Sequence, residues 1–422
     1  MTWFWQAWLA AVVFVFPIPH TIALRNLLLL VGVVALLLGC RRTLPRLVPW
    51  LKPAAWWLAA LTAWIVFHSI AVAPAPTLAL DQFRANWLMP LLIGAIGAWA
   101  AQQLPQGRAS RAVIAALAAH MLWMLAWQFK LWLATGDWPL KATPFAAYDY
   151  HGTLNSFFLI LLVADRLILI LERYSPLALG RYPGWTLLLL SLLSDLALQS
   201  RSSTVITLAI LLVASLALFK SRLRNWRLIM LVMGMIMLIV AGSLQFEQRW
   251  QGLRESVVVG WSSPTTYLIN FREADVATWP ITPSGKPIEV SAYSRAAWAR
   301  QAIDFIAAHP IGIGFGHDAF GRAIALKYGH AGFGSSHSGW LDFMLGTGLP
   351  GLALLLATTG TAVYSAWVQF KEQQDGRALL LAFFVGGYLL RCLLDGHLSG
   401  WRLGLFAFLC GVLIAAMKPS PR

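Results

Sequence analysis

Gly332-Phe333-Gly334-Ser335-Ser336-His337-Ser338-Gly339-Trp340-Leu341-Asp342 closes a long polar segment that begins near Gln245. On both sides of that segment the chain is a succession of apolar runs. The contrast decides the fold, because it describes a hydrophobic frame that presents one large polar loop. The same segment holds most of the side chains able to do chemistry outside a membrane.

Composition supports this division. The chain has 422 residues, of which 59% are hydrophobic and 12% charged, with a mean hydropathy of +0.67. A soluble chain carries about a quarter charged residues, so the deficit places this one in the membrane class. Its 22 tryptophans suit two membrane interfaces, where amphipathic rings gather. The net charge of +15 does not indicate a nucleic-acid partner, since no segment joins a basic stripe to a soluble recognition fold. Cys40, Cys392 and Cys410 sit in or beside apolar runs without CxxC spacing and read as packing residues. The first 19 residues lack a basic start and a small-residue cleavage site, which makes them a membrane helix rather than a leader.

A span needs roughly 17 to 25 apolar residues. That criterion predicts an all-α polytopic membrane protein with twelve spans, near 3–19, 22–40, 54–72, 87–101, 112–134, 152–171, 184–199, 203–219, 228–244, 350–370, 378–394 and 402–417. The expected division is nine spans in 1–244, the loop with a short membrane-edge helix in 245–349, and three spans in 350–422. With the N-terminus in the cytoplasm, the inner connections hold 16 lysines and arginines, and the short outer ones only Arg25, Arg84, Lys141 and Arg201. This asymmetry puts the long loop outside the cytoplasm. Within the loop, Tyr293 to Ala308 reads as an amphipathic helix. Ala296, Ala297, Ala299, Ile303, Ile306 and Ala307 form its apolar face, and Pro310 with the following glycines ends it.

Charges at membrane depth cost about 2.5 to 3.5 kcal/mol on insertion scales, so those retained tend to be functional. Arg84, Arg201, Arg295, Arg391 and Arg402 flank spans on the outer side. The planar fork of arginine suits phosphate oxygens. The competing reading for each is a snorkelling or structurally paired side chain. For Arg391 that pair is Asp395, four residues on along one helix face. Ser202 and Ser203 are N-cap candidates for the helix after Arg201, whose free N–H groups attract anions. His337 is the candidate base; it opens an apolar helix whose dipole should keep the imidazole neutral. His309 and His317 read as turn-shaping residues, and His330 has no assignable role. No DxD, HExxH or clustered-carboxylate spacing points to a metal, and no dinucleotide or P-loop fingerprint points to a cofactor.

The motifs Gln199-Ser200-Arg201, Ser294-Arg295 with Trp298, His309-Pro310-Ile311-Gly312-Ile313-Gly314-Phe315-Gly316, Ser336-His337-Ser338-Gly339-Trp340-Leu341 and Gly346-Thr347-Gly348-Leu349-Pro350-Gly351 occur in that order. Together they resemble the O-antigen ligase and O-antigen polymerase superfamily of bacterial inner-membrane glycosyltransferases, over roughly 195–400. The resemblance implies transfer of a glycan from undecaprenyl pyrophosphate on the periplasmic side of a Gram-negative inner membrane, without a metal or other cofactor. In the ligases the acceptor is a sugar of lipid A–core; in the polymerases it is another lipid-linked repeat, and a related branch glycosylates protein. The resemblance puts family arginines at Arg201 and Arg295 and the loop histidine at His337. Arg84, Asp395, Arg391 and Ser336 complete the candidate substrate contacts. A ligase is the favoured member, with a polymerase or a protein oligosaccharyltransferase as alternatives. The rival from another class is a transporter or flippase for lipid-linked sugars; the absence of matching Gly/Pro-interrupted spans in two halves argues against it.

Overall fold

In the computed structural model the apolar runs are helices, because backbone groups removed from water must pair within their own segment. The structure describes residues 2–39, 48–139, 141–144, 148–198, 201–220, 230, 234, 237, 252–264, 280–329 and 334–417. Eleven of the twelve expected segments fall on helices. These are α1 (Thr2–Val15), α2 (Ile22–Gly39), α3 (Lys52–Ala71), α5 (Met89–Gln102), α6 (Arg108–Thr135), α7 (Tyr148–Glu172), α8 (Arg181–Leu198), α9 (Arg201–Lys220), α13 (Gly339–Gln373), α14 (Gly376–Leu394) and α15 (Gly400–Ala415). The short α4 (Pro76–Phe83) runs into α5 through a π-turn at Arg84–Leu88. In the polar segment lie α10 (Leu253–Ser262), α11 (Val290–Ala308) and α12 (Ala319–Tyr328). Most of the expected span at 228–244, and Cys40 and His330, lie outside the described residues. Among the described residues, six helices are long and apolar enough to cross a membrane: α2, α3 with the turn before it, α6, α7, α13 and α14. Helix α1 ends four residues before the expected boundary, because Pro17 and Pro19 cannot continue it.

Small residues set the tightest helix contacts. A Cβ on Gly411 of α15 would stand 2.0 Å from the carbonyl oxygen of Gly94 on α5. Glycine therefore lets these two backbones touch, the usual means of helix association where lipid is as apolar as leucine. At one end of α7 the buried pair Asp165 and Arg166 ties down the following connection. Arg166 donates to the carbonyl of Arg181 at 3.1 Å, and Asp165 accepts from Ser175 Oγ at 2.7 Å and from the Leu177 amide at 2.9 Å.

The polar segment has its own apolar core. Tyr293, Trp298 and Phe305 of α11 pack against Phe320 and Ile324 of α12 and Leu345 of α13. Helix α11 begins three residues before the expected start, at a cap where the Glu289 carboxylate accepts from the Ala292 amide at 2.7 Å. Ala296, Ala297 and Ile306 are buried as the periodicity predicts, but Ile303 is 45% exposed. Tyr293, Trp298 and Phe305 take the buried positions instead, because the large rings remove more surface from water than one aliphatic side chain.

Two glycine motifs, read separately in the sequence, meet as one backbone crossing. The Ile313 amide donates to Leu345 O at 2.9 Å, Gly314 to Gly346 O at 3.0 Å, and Leu349 to Pro310 O at 2.8 Å. Helix α13 breaks at Gly348, with φ 73° and ψ −180°. The expected short helix at 337–349 and the expected span from 350 are thus two pieces joined at this break. Helix α3 fastens the crossing: Trp64 donates to Thr347 O at 2.9 Å, and His68 Nε2 pairs with Ile311 O at 2.8 Å. His309 stacks on Phe305 at 4.4 Å, and His317 pairs with Gln82 of α4 at 2.9 Å.

A Cβ at Gly348 would stand 2.2 Å from Ile311 O, and the backbone there is in a region essentially reserved for glycine. Gly348→Ala is expected to cost at least about 1–3 kcal/mol in strain alone. Thermal unfolding in detergent checks this, and an unshifted melting temperature would contradict the crossing.

Candidate active site

The first residues of α13 emerge beside α11 and the end of α14, and a cavity of about 550 Å³ opens between them. Arg295 of α11, Ser336, His337 and Ser338 line it, with Leu394 at the end of α14, Ser202 of α9, and Lys141 and Tyr148 from the α6–α7 connection. His337 stands just outside the helix, with Ser338 as the residue before its first turn. Its backbone is left-handed, φ 58°, which is uncommon for a residue with a Cβ. One face of its ring lies on Trp298, centroids 5.1 Å apart and 16° from parallel.

The imidazole is held below its ordinary value, first by burial and then by the Arg295 guanidinium; the Asp395 carboxylate opposes the shift. The neutral state expected at His337 is thus favoured, by desolvation and by a nearby cation. Arg402 and Asp149, which pair with each other, also act on the ring, in opposite senses.

Arg295 reaches across the cavity edge. Its Nη1 donates to Leu394 O at 3.2 Å, its Nη2 stands 3.7 Å from Asp395 Oδ1, and its side chain remains 36% exposed. Asp395 is shared, because Arg391 Nη2 lies 2.8 Å from its other oxygen. The i,i+4 pairing expected for Arg391 is therefore present. That arginine is 1% exposed and absent from the cavity wall, so it supports Asp395 instead of meeting a ligand directly. Ser336 is on the wall, its hydroxyl 3.2 Å from Ser338 O.

One expected residue stands apart. Arg84 lies on the π-turn before α5 with its side chain 75% exposed, 3.5 Å from Asp81, and does not line the cavity. Arg201 opens α9 next to the wall residue Ser202, but its side chain is outside the described residues. Arg402, the fifth outer arginine, pairs with Asp149 and lies over Tyr150 and Trp401 at 5.6 and 5.3 Å.

Sequence reasoning passed over Lys141 and Asp342. Lys141 drew notice only as the single base of its connection, yet it lines the cavity with its ammonium 4.9 Å from the Tyr148 ring centre. Asp342 is buried in the first turn of α13. An acidic residue there, behind a serine-rich approach, carries the signature of a side chain reaching back to cap the turn.

The arrangement offers a neutral imidazole and a guanidinium on one wall of a cavity at the end of apolar helices. A group able to accept a proton and a group able to bind an anion are thereby placed side by side.

The charges around His337 predict how it titrates. Removing the cation in Arg295→Met should raise its pKa toward ~6.5, the ordinary histidine value. Removing the anion in Asp395→Asn should lower it further. Rates of acylation of His337 by diethyl pyrocarbonate, followed by mass spectrometry across pH, check both directions; shifts of opposite sign to these would refute the assignment.

The family model described as O-antigen ligase matches residues 186–356. That stretch encloses Arg201, Arg295, Ser336 and His337, and leaves Arg84, Lys141, Arg391 and Asp395 outside it. A search of curated proteins gives no match to the chain. The segment 186–356, which carries both the imidazole and the guanidinium of the cavity, is thus similar to the O-antigen ligase family.

Proposed function

We propose that the protein is an O-antigen ligase of the Gram-negative inner membrane. It transfers O-antigen polysaccharide from undecaprenyl pyrophosphate to a sugar hydroxyl of lipid A–core. In this reading twelve helices span the membrane, the N-terminus is cytoplasmic, and the polar segment faces the periplasm. The basic inner connections support that orientation. The observation that carries the chemistry is the placement of His337 and Arg295 on one cavity wall within the family segment.

His337 takes the proton from the acceptor hydroxyl while its oxygen attacks the anomeric carbon. The bond from that carbon to the pyrophosphate oxygen breaks on the opposite face, so the anomeric configuration inverts. The electron pair leaves with the diphosphate, whose negative charge is stabilised by Arg295 and Arg201. Lys141, which also lines the cavity, adds positive charge to it, and Asp395 with Arg391 behind it orients Arg295. Ser336 contacts substrate from the wall beside His337. Arg84, exposed on the neighbouring π-turn, serves the approach of the anionic donor and not the reacting atoms. A neutral imidazole is the form that accepts a proton, and the depression of the His337 pKa keeps it so through neutrality. Activity is accordingly lost as pH falls through that lowered value.

Two substitutions test the reading. His337→Ala should lower transfer by about a hundred- to ten-thousandfold, the usual contribution of a positioned base. Arg295→Ala should cost about a hundred- to a thousandfold, as for other preorganised charge stabilisers. Both are measured as glycan joined to core by purified, folded protein given lipid-linked glycan and lipid A–core. Wild-type transfer by His337→Ala would exclude it as the base. In a deletion strain the ligase reading expects full-length polymer left on its lipid carrier and core without O-antigen. Core bearing a single repeat would instead identify a polymerase.

A further inference from the structure

The left-handed backbone of His337 must be imposed, since such a conformation costs a residue with a Cβ about 1–3 kcal/mol. Two hydrogen bonds to the Asp342 carboxylate and a third to the Ser335 hydroxyl brace the turn that bears it. The Asp342 carboxylate accepts from Ser335 Oγ at 2.7 Å through Oδ2 and from the Ser336 amide at 2.9 Å through Oδ1. Ser335 Oγ, its own proton so engaged, accepts the His337 amide at 3.0 Å. The carboxylate is therefore linked to the His337 backbone through one hydroxyl, and to the preceding residue directly.

The surroundings fit this arrangement closely. Gly396 lies against the pair, where a Cβ would stand 2.9 Å from Ser335 Oγ and 3.5 Å from Asp342 Oδ2. The Gly339 amide donates to Asp395 O at 3.1 Å, which ties the start of α13 to the residue that pairs with Arg295. Asp342 itself is buried and is not on the cavity wall. A buried carboxylate with two built acceptor contacts, on the turn that carries the base, acts on that turn and not on a ligand.

We infer that Asp342, through Ser335, is a positioning residue for the transfer reaction, holding the turn that aims the His337 imidazole into the cavity. This rests on the reading of His337 as the base. Without the carboxylate, the Ser335 hydroxyl and the Ser336 amide lose their common acceptor, and the left-handed turn loses its support. The imidazole then leaves the Trp298 face and its buried position. Misplacing a reacting group by about 1 Å costs on the order of a hundredfold in rate. Binding of the donor, which depends on the arginines and the apolar helices, is left in place.

The experiment compares Asp342→Ala, Ser335→Ala and His337→Ala in the full-length protein, purified in detergent and judged folded by its thermal transition. Transfer is measured across pH with lipid-linked glycan and lipid A–core. Asp342→Ala should lower kcat by about tenfold to a hundredfold, with KM for the donor within about twofold. Ser335→Ala, which leaves the carboxylate in place, should lower kcat less and in the same sense. The pair should not be additive, because both act through one network. The acidic limb of the kcat/KM profile should also move up toward ~6.5 as the imidazole regains water. The groups facing that ring remain in every variant: Arg295, Asp395, Arg402 and Asp149 around it, and Lys141 across the cavity. A general loss of folded protein would lower the rate without moving the limb.

Wild-type kcat in both variants, a loss confined to KM, or a lowered rate with an unmoved acidic limb would each overturn the inference. If Asp342→Ala does not fold, Ser335→Ala alone decides by the same measures. Activity retained in His337→Ala would instead overturn the base reading itself. Loss in His337→Ala with wild-type behaviour in the other two would overturn only the role of Asp342.

Discussion

The backbone crossing between 310–314 and 345–349 is the constraint on which the rest of the site depends. Helix α13 could in principle run on without interruption. Instead its hydrogen-bond ladder is interrupted at Gly348, and the freed amides and carbonyls are taken up by the segment after α11. Buried backbone polar groups must be paired, so this exchange fixes the register of the two segments to the residue. The first turn of α13, and with it the turn that bears His337, is thereby located relative to α11, which carries Arg295 and Trp298. Imidazole, guanidinium and stacking ring are placed by one set of main-chain bonds, reinforced from α3 by Trp64 and His68.

Much of this arrangement is legible in the sequence. Apolar runs of sufficient length mark the helices, because the hydrophobic effect and backbone pairing leave membrane segments little choice of structure. That His337 and Arg295 belong to one site is legible as well, since both stand in motifs with few alternatives. The partnership between the His309–Gly316 and Gly346–Gly351 motifs is hidden, because glycine shows that a close approach exists but not what approaches. The i,i+4 spacing of Arg391 and Asp395 announces their pair, whereas the bond from Asp395 to Arg295, a hundred residues away, leaves no local trace. Ile303 shows the limit of periodicity: a one-dimensional pattern finds an apolar face, but large aromatic neighbours decide which residues within it are covered. Lys141 is similar, since only the tertiary fold brings the α6–α7 connection over the cavity.

The site also divides labour by depth. Charged groups at the cavity edge remain partly in water, where a guanidinium keeps its reach and its partners stay exchangeable. Groups behind them, Arg391 and Asp342, are fully surrounded and hydrogen-bonded or ion-paired, and a buried charge persists only in that condition. Buried, paired inner residues thus support the more exposed outer ones.

The sequence of charges Arg391, Asp395, Arg295 has a consequence for how the outermost of them can behave. Asp395 bridges two cations, one buried and one at the edge. When Arg295 swings toward an anion in the cavity, Asp395 does not become a bare carboxylate in a poorly hydrated place, because Arg391 stays with it. The usual penalty for opening an ion pair near the membrane is avoided, and Arg295 can exchange one oxygen partner for another along an almost level path. The buried arginine works as a reserve counter-ion, which lets its neighbour leave and return.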